Sequence, residues 1–202
     1  MKTTTIDLIR HGEPRGGRLF RGSQDDPLSA TGWAQMRTAV AHHCPWQRIV
    51  SSPLLRCAEF ATELAERHRL PLEIDHGFRE LGFGDWEGLS AEQVEAGYPG
   101  ALATFWREPE SYTPPGAEAV VEFDARVAEA WQGLLKRHAG QHVLLVCHGG
   151  VIRMCVRQVL GLPSGHIWRM DVPYAGVSRV RVHLDAGQPV PVLEYLNGTL
   201  AA

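Results

Sequence analysis

Thr4-Thr5-Ile6-Asp7-Leu8-Ile9-Arg10-His11-Gly12 passes from a β-branched, apolar run to a cation, an imidazole and a glycine. The run alternates poorly, which suits a strand buried on both faces. It ends at Arg10-His11-Gly12, and a loop rich in Gly and Arg follows, from Gly12 to Asp26. Ser29 or Thr31 can cap a helix reaching to about His42. Arg48-Ile49-Val50-Ser51 reads as a second short strand. Pro53 stands where a first helical turn favours proline, ahead of a helix to about Arg69 with Leu54, Ala58, Ala61 and Ala65 on one face.

Helical spacing returns at Val120, Phe123, Val127, Trp131 and Leu134. Val143 to Cys147 is a third apolar strand, and His148-Gly149-Gly150 turns into a helix to about Leu160. Val177 to Leu184 and Val190 to Tyr195 read as final strands. Strands alternating with helices predict an α/β three-layer sandwich, a largely parallel central sheet with helices on both faces. Residues 1–202 read as one domain. Within it, 77–117 holds much of the Gly, Pro and Trp, a capping box at Ser90-Ala91-Glu92-Gln93 and a loop from Tyr112 to Gly116. That region reads as an insertion or lid over the active face.

The 202 residues carry a net charge of −3, with Lys and Arg scattered rather than in long runs. No nucleic-acid or membrane surface is expected from such a balance. No apolar run approaches the ~18 residues of a bilayer span. Met1 to Asp7 has no apolar segment after its lysine, so a cytoplasmic protein is expected. Cys44, Cys57, Cys147 and Cys155 are irregularly spaced and read as reduced core thiols. His42, His43, His68, His76, His138, His142, His166 and His183 lack metal-ligand spacing, so neither metal nor other cofactor is expected. The oligomeric state is open, a homodimer included.

Ligands in open α/β folds bind at the carboxyl ends of the strands. If the three interior strands are parallel neighbours, Arg10, His11, Arg56, His148 and Gly149 converge on one mouth. Glu80 can join them from Phe78-Arg79-Glu80-Leu81-Gly82. Arginine forks match the paired oxygens of a phosphoryl group. A neutral imidazole nitrogen can attack phosphorus, while arginines and a second histidine stabilise the equatorial oxygens. A carboxylic acid can protonate the leaving oxygen and later take a proton from water. Taken singly, His11 also reads as a strand-end histidine and Arg56 as a solvated one of its kind; Glu13 and Glu87 compete with Glu80 near the same mouth. Arg21, Ser23 and Gln24, in the loop after His11, are candidates to touch substrate and equally readable as solvated. Trp86, Trp106 and Tyr112 could stack on an aromatic base or simply pack.

Leu8-Ile9-Arg10-His11-Gly12-Glu13-Pro14 resembles the signature of the histidine phosphatase superfamily, the phosphoglycerate-mutase-like fold. The resemblance continues through Ser51-Ser52-Pro53-Leu54-Leu55-Arg56, Arg79-Glu80-Leu81-Gly82-Phe83-Gly84-Asp85-Trp86-Glu87-Gly88 and Val146-Cys147-His148-Gly149-Gly150-Val151-Ile152-Arg153, in the family's order. It implies His11 as nucleophile, Arg10, Arg56 and His148 as the phosphate pocket, Glu80 as proton donor and a small-molecule phosphomonoester as partner, without metal. Within the superfamily the chain is most similar to α-ribazole-5′-phosphate phosphatases of cobalamin assembly, through Gly16-Gly17-Arg18-Leu19-Phe20-Arg21-Gly22, Asp25-Asp26-Pro27-Leu28 and Pro114-Pro115-Gly116. Those enzymes often carry Gly-Gly-Glu-Ser after the prolines, where Gly116-Ala117-Glu118-Ala119 stands. Phosphoglycerate mutases are less similar: Gly17 stands where they usually have Asn, and Glu80-Leu81-Gly82-Phe83-Gly84 where they have Glu-Arg-His-Tyr-Gly. A broad-specificity phosphatase of the same superfamily is the nearer alternative.

Two other readings compete. Cys147 to Arg153 spells C-x5-R between a strand and a helix, the pattern of cysteine-dependent phosphatases, whose thiolate a helix N-terminus activates. His148 directly after the cysteine and Met154 after the arginine depart from it. The second is a non-catalytic phosphoryl-binding regulator, against which His11, Arg10, Arg56, Glu80 and His148 stand together.

Overall fold

The computed structural model describes residues 3–41, 43–185 and 188–200. In chain order its strands and helices are β1 (Thr4–Arg10), α1 (Ala30–Val40), β2 (Arg48–Ser51), α2 (Leu55–His68), β3 (Leu72–Ile74), α3 (Ala91–Gly97), α4 (Ala101–Arg107), α5 (Val120–Arg137), β4 (His142–Cys147), α6 (Gly149–Leu160), β5 (Val177–Asp185) and β6 (Gln188–Gly198). One sheet holds all six strands in the order β3-β2-β4-β1-β5-β6. β3, β2, β4 and β1 run parallel, and β5 and β6 close the far edge antiparallel. The expected largely parallel α/β sandwich is therefore what forms.

β1 sets the two layers. Ile6 and Leu8 turn to one face, Asp7 and Ile9 to the other, and all four are fully buried. The first face joins Val143 and Leu145 of β4 to Phe123 and Val127 of α5 and Val151 and Ile152 of α6. The second joins Ile49, Leu144 and Val146 to Met36 of α1 and Phe60 and Leu64 of α2. Trp86, Val94 and Phe105, from the 77–117 region, belong to the first of these cores. Among the described residues no helix is long and apolar enough to cross a membrane.

Several boundaries move. Ser29, not Thr31, caps α1, accepting from the Gly32 N–H at 3.0 Å. α1 stops at Val40, and His42 lies outside the described residues. Pro53 is not in the first turn of α2; it precedes Leu54, the extended residue that opens the helix. The capping box at Ser90 is present, with Gln93 returning a bond to the Ser90 N–H at 2.8 Å. β3 and α4 had no counterpart in the sequence reading. β3 is three residues long and half exposed, so it carries no apolar pattern.

A glycine pair fixes the first loop against α1. A Cβ on Gly12 would overlap the carbonyl of Gly32, and one on Gly32 would overlap the carbonyl of Glu13. Glu13 accepts from Ser29 Oγ at 2.7 Å, and its own N–H donates to Gln35 Oε1 at 2.8 Å. The first residues after β1 are thus tied to the start of the following helix.

Asp7 is a fully buried carboxylate at the centre of the sheet. It accepts from Trp46 Nε1 at 2.8 Å and from Arg179 Nε at 2.6 Å, and His142 Nε2 lies 2.8 Å away. Burial pushes its pKa up, but the bonds from His142, Arg179 and Trp46 outweigh that and leave it below the ordinary 3.8. A carboxylate whose folded pKa is depressed adds stability that is complete above the unfolded value and is lost as pH falls through the folded one. Removing one side of a buried pair typically costs about 3–5 kcal/mol. Asp7→Asn is expected to lose about that much by urea denaturation at neutral pH, a gap that narrows below pH 3.8 as the wild type surrenders the same contribution. A constant gap across that range would show that Asp7 is not the group titrating.

Candidate active site

The sheet register delivers the functional residues together. Arg10 lies opposite Cys147 and Ser51 opposite Val146, so β1, β4 and β2 end at one level. The ladder runs one residue further: the His11 N–H donates to Cys147 O and the Ser52 N–H to Val146 O, both at 3.0 Å. The next side chains on β1 and β4, His11 and His148, meet with ring centroids 5.2 Å apart in an edge-to-face arrangement. α2 and α6 start here, and helix N-termini favour anions. Arg56 is the second residue of α2, and His148 is the residue that opens α6.

An inner cavity of about 160 Å³ lies over His11, lined by Arg10, Arg21, Arg56, Glu80, Gly149 and others. It opens into a vestibule of about 800 Å³ that shares Arg10, Phe20, Trp106, Arg153 and Tyr174 with it. Of the residues the sequence singled out, His148 stands immediately behind His11, fully buried. Ser23 and Gln24 do not line the cavity. The hydroxyl of Ser23 is engaged by Glu87 at 2.8 Å, and Gln24 contributes a backbone carbonyl to Arg56 at 2.7 Å. Glu87 also accepts from the Ser23 and Phe83 N–H groups at 2.8 and 2.9 Å, so it staples the first loop to the 77–117 region. Trp86 is wholly buried and Tyr112 stacks on it, whereas Trp106 is 41% exposed and reaches both cavities.

His11 Nδ1 lies 2.7 Å from the Gly12 carbonyl. A carbonyl only accepts, so Nδ1 carries the proton and Nε2 keeps its lone pair. Burial, then the Arg56 and Arg10 guanidiniums, hold the ring well below the usual 6.5, against the smaller pull of the Gly12 bond. His148 is lowered likewise, by burial first and then by Arg56, His11, Arg10 and Arg126. Its Nε2 is 2.7 Å from Ser52 Oγ.

The cations are held by neutral groups. Arg56 donates to Gly22 O at 2.8 Å and Gln24 O at 2.7 Å, and its Nε has no partner among the described residues. Arg10 donates to Val172 O at 2.5 Å and lies 4.3 Å from the centre of the Tyr174 ring. Arg21 instead pairs with Asp26 at 3.0 Å. Glu80 accepts from the Leu81 and Gly150 N–H groups, each at 3.1 Å. A Cβ on Gly150 would overlap Glu80 Oε1, so any side chain there would displace this carboxyl.

Three wall residues escaped the sequence reading. Arg153 ends both the C-x5-R pattern and the Val146–Arg153 block, neither of which marks it as a wall residue; its Nε donates to Met170 O at 2.9 Å and its guanidinium lies 5.6 Å from the Trp168 ring. Trp168 and Tyr174 sit in the segment between α6 and β5, which carries no motif. Cys147 lies in the buried core, and burial, then Cys155, Cys57 and Glu80, push its thiol well up. A thiol so placed is inert as a nucleophile, which leaves the cysteine-dependent reading without its reactive group.

The sequence model of the histidine phosphatase superfamily (branch 1) matches residues 6–193, and the chain belongs to that family. It is 34% identical over 177 residues to glucosyl-3-phosphoglycerate phosphatase of Mycobacterium tuberculosis, covering 81% of this chain and 78% of that one. It is 29% identical over 174 residues to adenosylcobalamin/α-ribazole phosphatase of Salmonella typhimurium, covering 82% and 84%. The bifunctional protein Rv2228c of M. tuberculosis matches at 30% over 192 residues; 93% of this chain is covered, but the chain spans only 52% of that protein's length. The solved mycobacterial glucosyl-3-phosphoglycerate phosphatase superposes with a TM-score of 0.84 at 29% identity, over 97% of this chain and 99% of that one.

Both site imidazoles should be neutral at pH 6.5, where a free one is half charged. Nitrogen-15 NMR at that pH is expected to show His11 and His148 as neutral rings, with His11 protonated at Nδ1. An imidazolium signal from either would contradict the geometry.

Proposed function

We propose that the protein hydrolyses small-molecule phosphomonoesters through a phosphohistidine at His11. The observation that carries this reading is the His11 ring: its Nδ1 is tied to Gly12 O, and its free Nε2 lies at a cavity walled by Arg10 and Arg56. In the first step Nε2 attacks phosphorus, the bond to the ester oxygen breaks, and Glu80 supplies the proton that the leaving alkoxide needs. In the second, water attacks the phosphohistidine, Glu80 takes its proton, and His11 departs from phosphorus with its lone pair restored. Arg10 and Arg56, with neutral His148 behind His11, stabilise the equatorial oxygens, and the field of the two guanidiniums does for the phosphoryl group what a cation does in other phosphatases. Hydrolysis of the phosphohistidine, rather than retention of its phosphoryl group for transfer, agrees with Gly17 and Leu81-Gly82-Phe83 standing where mutases carry other residues.

For the substrate, we take α-ribazole 5′-phosphate as the first reading. Its support is the aromatic vestibule of Phe20, Trp106 and Tyr174, against which a flat base can stack. The second reading is a phosphoglycerate ester such as glucosyl 3-phosphoglycerate. It is favoured by Arg153: no carboxylate is paired with it among the described residues, and it lies where the inner cavity meets the vestibule. A screen of small phosphomonoesters containing both compounds ranks them.

His11→Ala is expected to abolish turnover, and rapidly quenched wild type to carry an acid-labile, alkali-stable phosphoryl label on His11. Cys147→Ser should keep that label. EDTA should leave activity intact, while vanadate and phosphate inhibit. Restoration of an EDTA-treated enzyme by magnesium or zinc, or label on Cys147, would sink this mechanism. Glu80→Gln should lose ~10²–10⁴-fold in kcat/KM on alkyl phosphates and far less on p-nitrophenyl phosphate, whose phenolate leaves unaided.

A further inference from the structure

Glu80 sits in irregular chain between the 3₁₀ turns His76–Phe78 and Gly84–Trp86, with no strand or helix of its own to aim it. A proton donor must be placed to within a fraction of an ångström, and irregular backbone does not provide that unaided. The backbone on each side of Glu80 is nevertheless held, and by one ion pair. Arg126 of α5 donates from Nη1 to Gly77 O at 2.8 Å and Arg79 O at 3.1 Å, and from Nη2 to Glu80 O at 3.5 Å. Its Nε and Nη2 also grip Glu118 in a fork, at 2.9 and 2.7 Å. Glu118 holds the other flank: its N–H donates to Gly82 O at 3.0 Å, and its carboxylate faces the Gly82 N–H at 3.5 Å.

We infer that the Arg126–Glu118 pair is a positioning device for the proton donor, fixing the chain from Gly77 to Gly82 so that the Glu80 carboxyl reaches the leaving oxygen. The inference rests on Glu80 being that donor. Neither Arg126 nor Glu118 lines the cavity, so neither is placed to meet a ligand there directly. A guanidinium is suited to this work and an ammonium is not. Its planar fork serves several carbonyls and a carboxylate at once, and it stacks its face 5.1 Å from the Phe123 ring. Arg126 is anchored in the middle of α5, the long helix of the core, and so transfers the rigidity of that helix to a segment that has none. The pair also accounts for the Glu118 that follows the Pro114-Pro115-Gly116 loop, a residue the catalytic scheme leaves without a task.

The test is Arg126→Lys, which keeps the charge and loses the fork, with Glu118→Gln beside it. Each is assayed by kcat/KM on an alkyl phosphate and on p-nitrophenyl phosphate from the same preparation. The ratio of the two values cancels any loss of folded enzyme. It reports only steps up to departure of the leaving group. Arg126→Lys is expected to lower the alkyl value by ~10–100-fold and the p-nitrophenyl value by no more than about threefold, and Glu118→Gln to shift the ratio in the same direction by less. In the double variant Glu80→Gln/Arg126→Lys the alkyl loss should not exceed that of Glu80→Gln alone, because a donor that is absent cannot be misplaced. Equal losses on both substrates, or additive losses in the double variant, overturn the proposal. A flat ratio in Glu80→Gln itself would instead show that Glu80 is not the donor, and the pair would then have nothing to position.

Discussion

Arg56 is a cation 1% exposed whose terminal nitrogens, among the described residues, meet only the carbonyls of Gly22 and Gln24. Taking a charge out of water without a counter-charge is among the most expensive things a fold can do. Here the cost falls at one place, and the surroundings are arranged around it. The loop from Gly12 to Asp26 must close over α2 to bring its carbonyls to the guanidinium. The 77–117 stretch meets the loop through Glu87 and Ser23 and through Phe20, whose N–H donates to Leu89 O at 2.9 Å. The two histidines beside this charge are kept neutral, burial acting first and Arg56 next. A site with positive charge left over and neutral bases within it is prepared for an anion, and it makes an imidazole nitrogen nucleophilic near neutral pH.

The parts of this architecture that were legible in the sequence are those whose cause is local. β1 is written in its β-branched run, α5 in the spacing of Val120, Phe123, Val127, Trp131 and Leu134, and the start of α3 in its capping box. The convergence of Arg10, His11, Arg56 and His148 followed from strand ends, because a parallel sheet has one carboxyl edge. What could not be read was anything decided by distant partners. β3 exists because β2 offers it an edge, not because Leu72-Glu73-Ile74 insists on a strand. Ser23 was as plausible a substrate contact as Arg21 until Glu87, far along the chain, took its hydroxyl. Pro53 obeyed the general preference for the start of a helix but falls just ahead of it.

The acidic residues show how one side-chain type is sorted by surroundings. Glu13 is turned to the Ser29 cap of α1, Glu87 to the Ser23 and Phe83 amides, and Glu118 to Arg126. Only Glu80 of these four lines the inner cavity. Three structural carboxylates thus surround the one that lines the cavity, and each secures a different stretch of chain near it: the first loop, the crossing of that loop with the 77–117 region, and the flanks of Glu80. Sequence spacing alone gave Glu13 and Glu87 as good a claim as Glu80; in the fold their carboxylates are turned to Ser29, Ser23 and Phe83, while that of Glu80 lines the cavity.

Gly12 and Gly32 press backbone on backbone, each lacking room for a Cβ because of main-chain atoms rather than a movable side chain. Such a contact has no second-site suppressor. A large residue in a core can be answered by a smaller neighbour, but a carbonyl cannot be made smaller. A Cβ at either position meets backbone that cannot yield cheaply, so the loop after His11 is confined to one approach to the first helix. Any side chain at either position would have to displace main chain, so the geometry at this one point sets how the loop after His11 meets the helix.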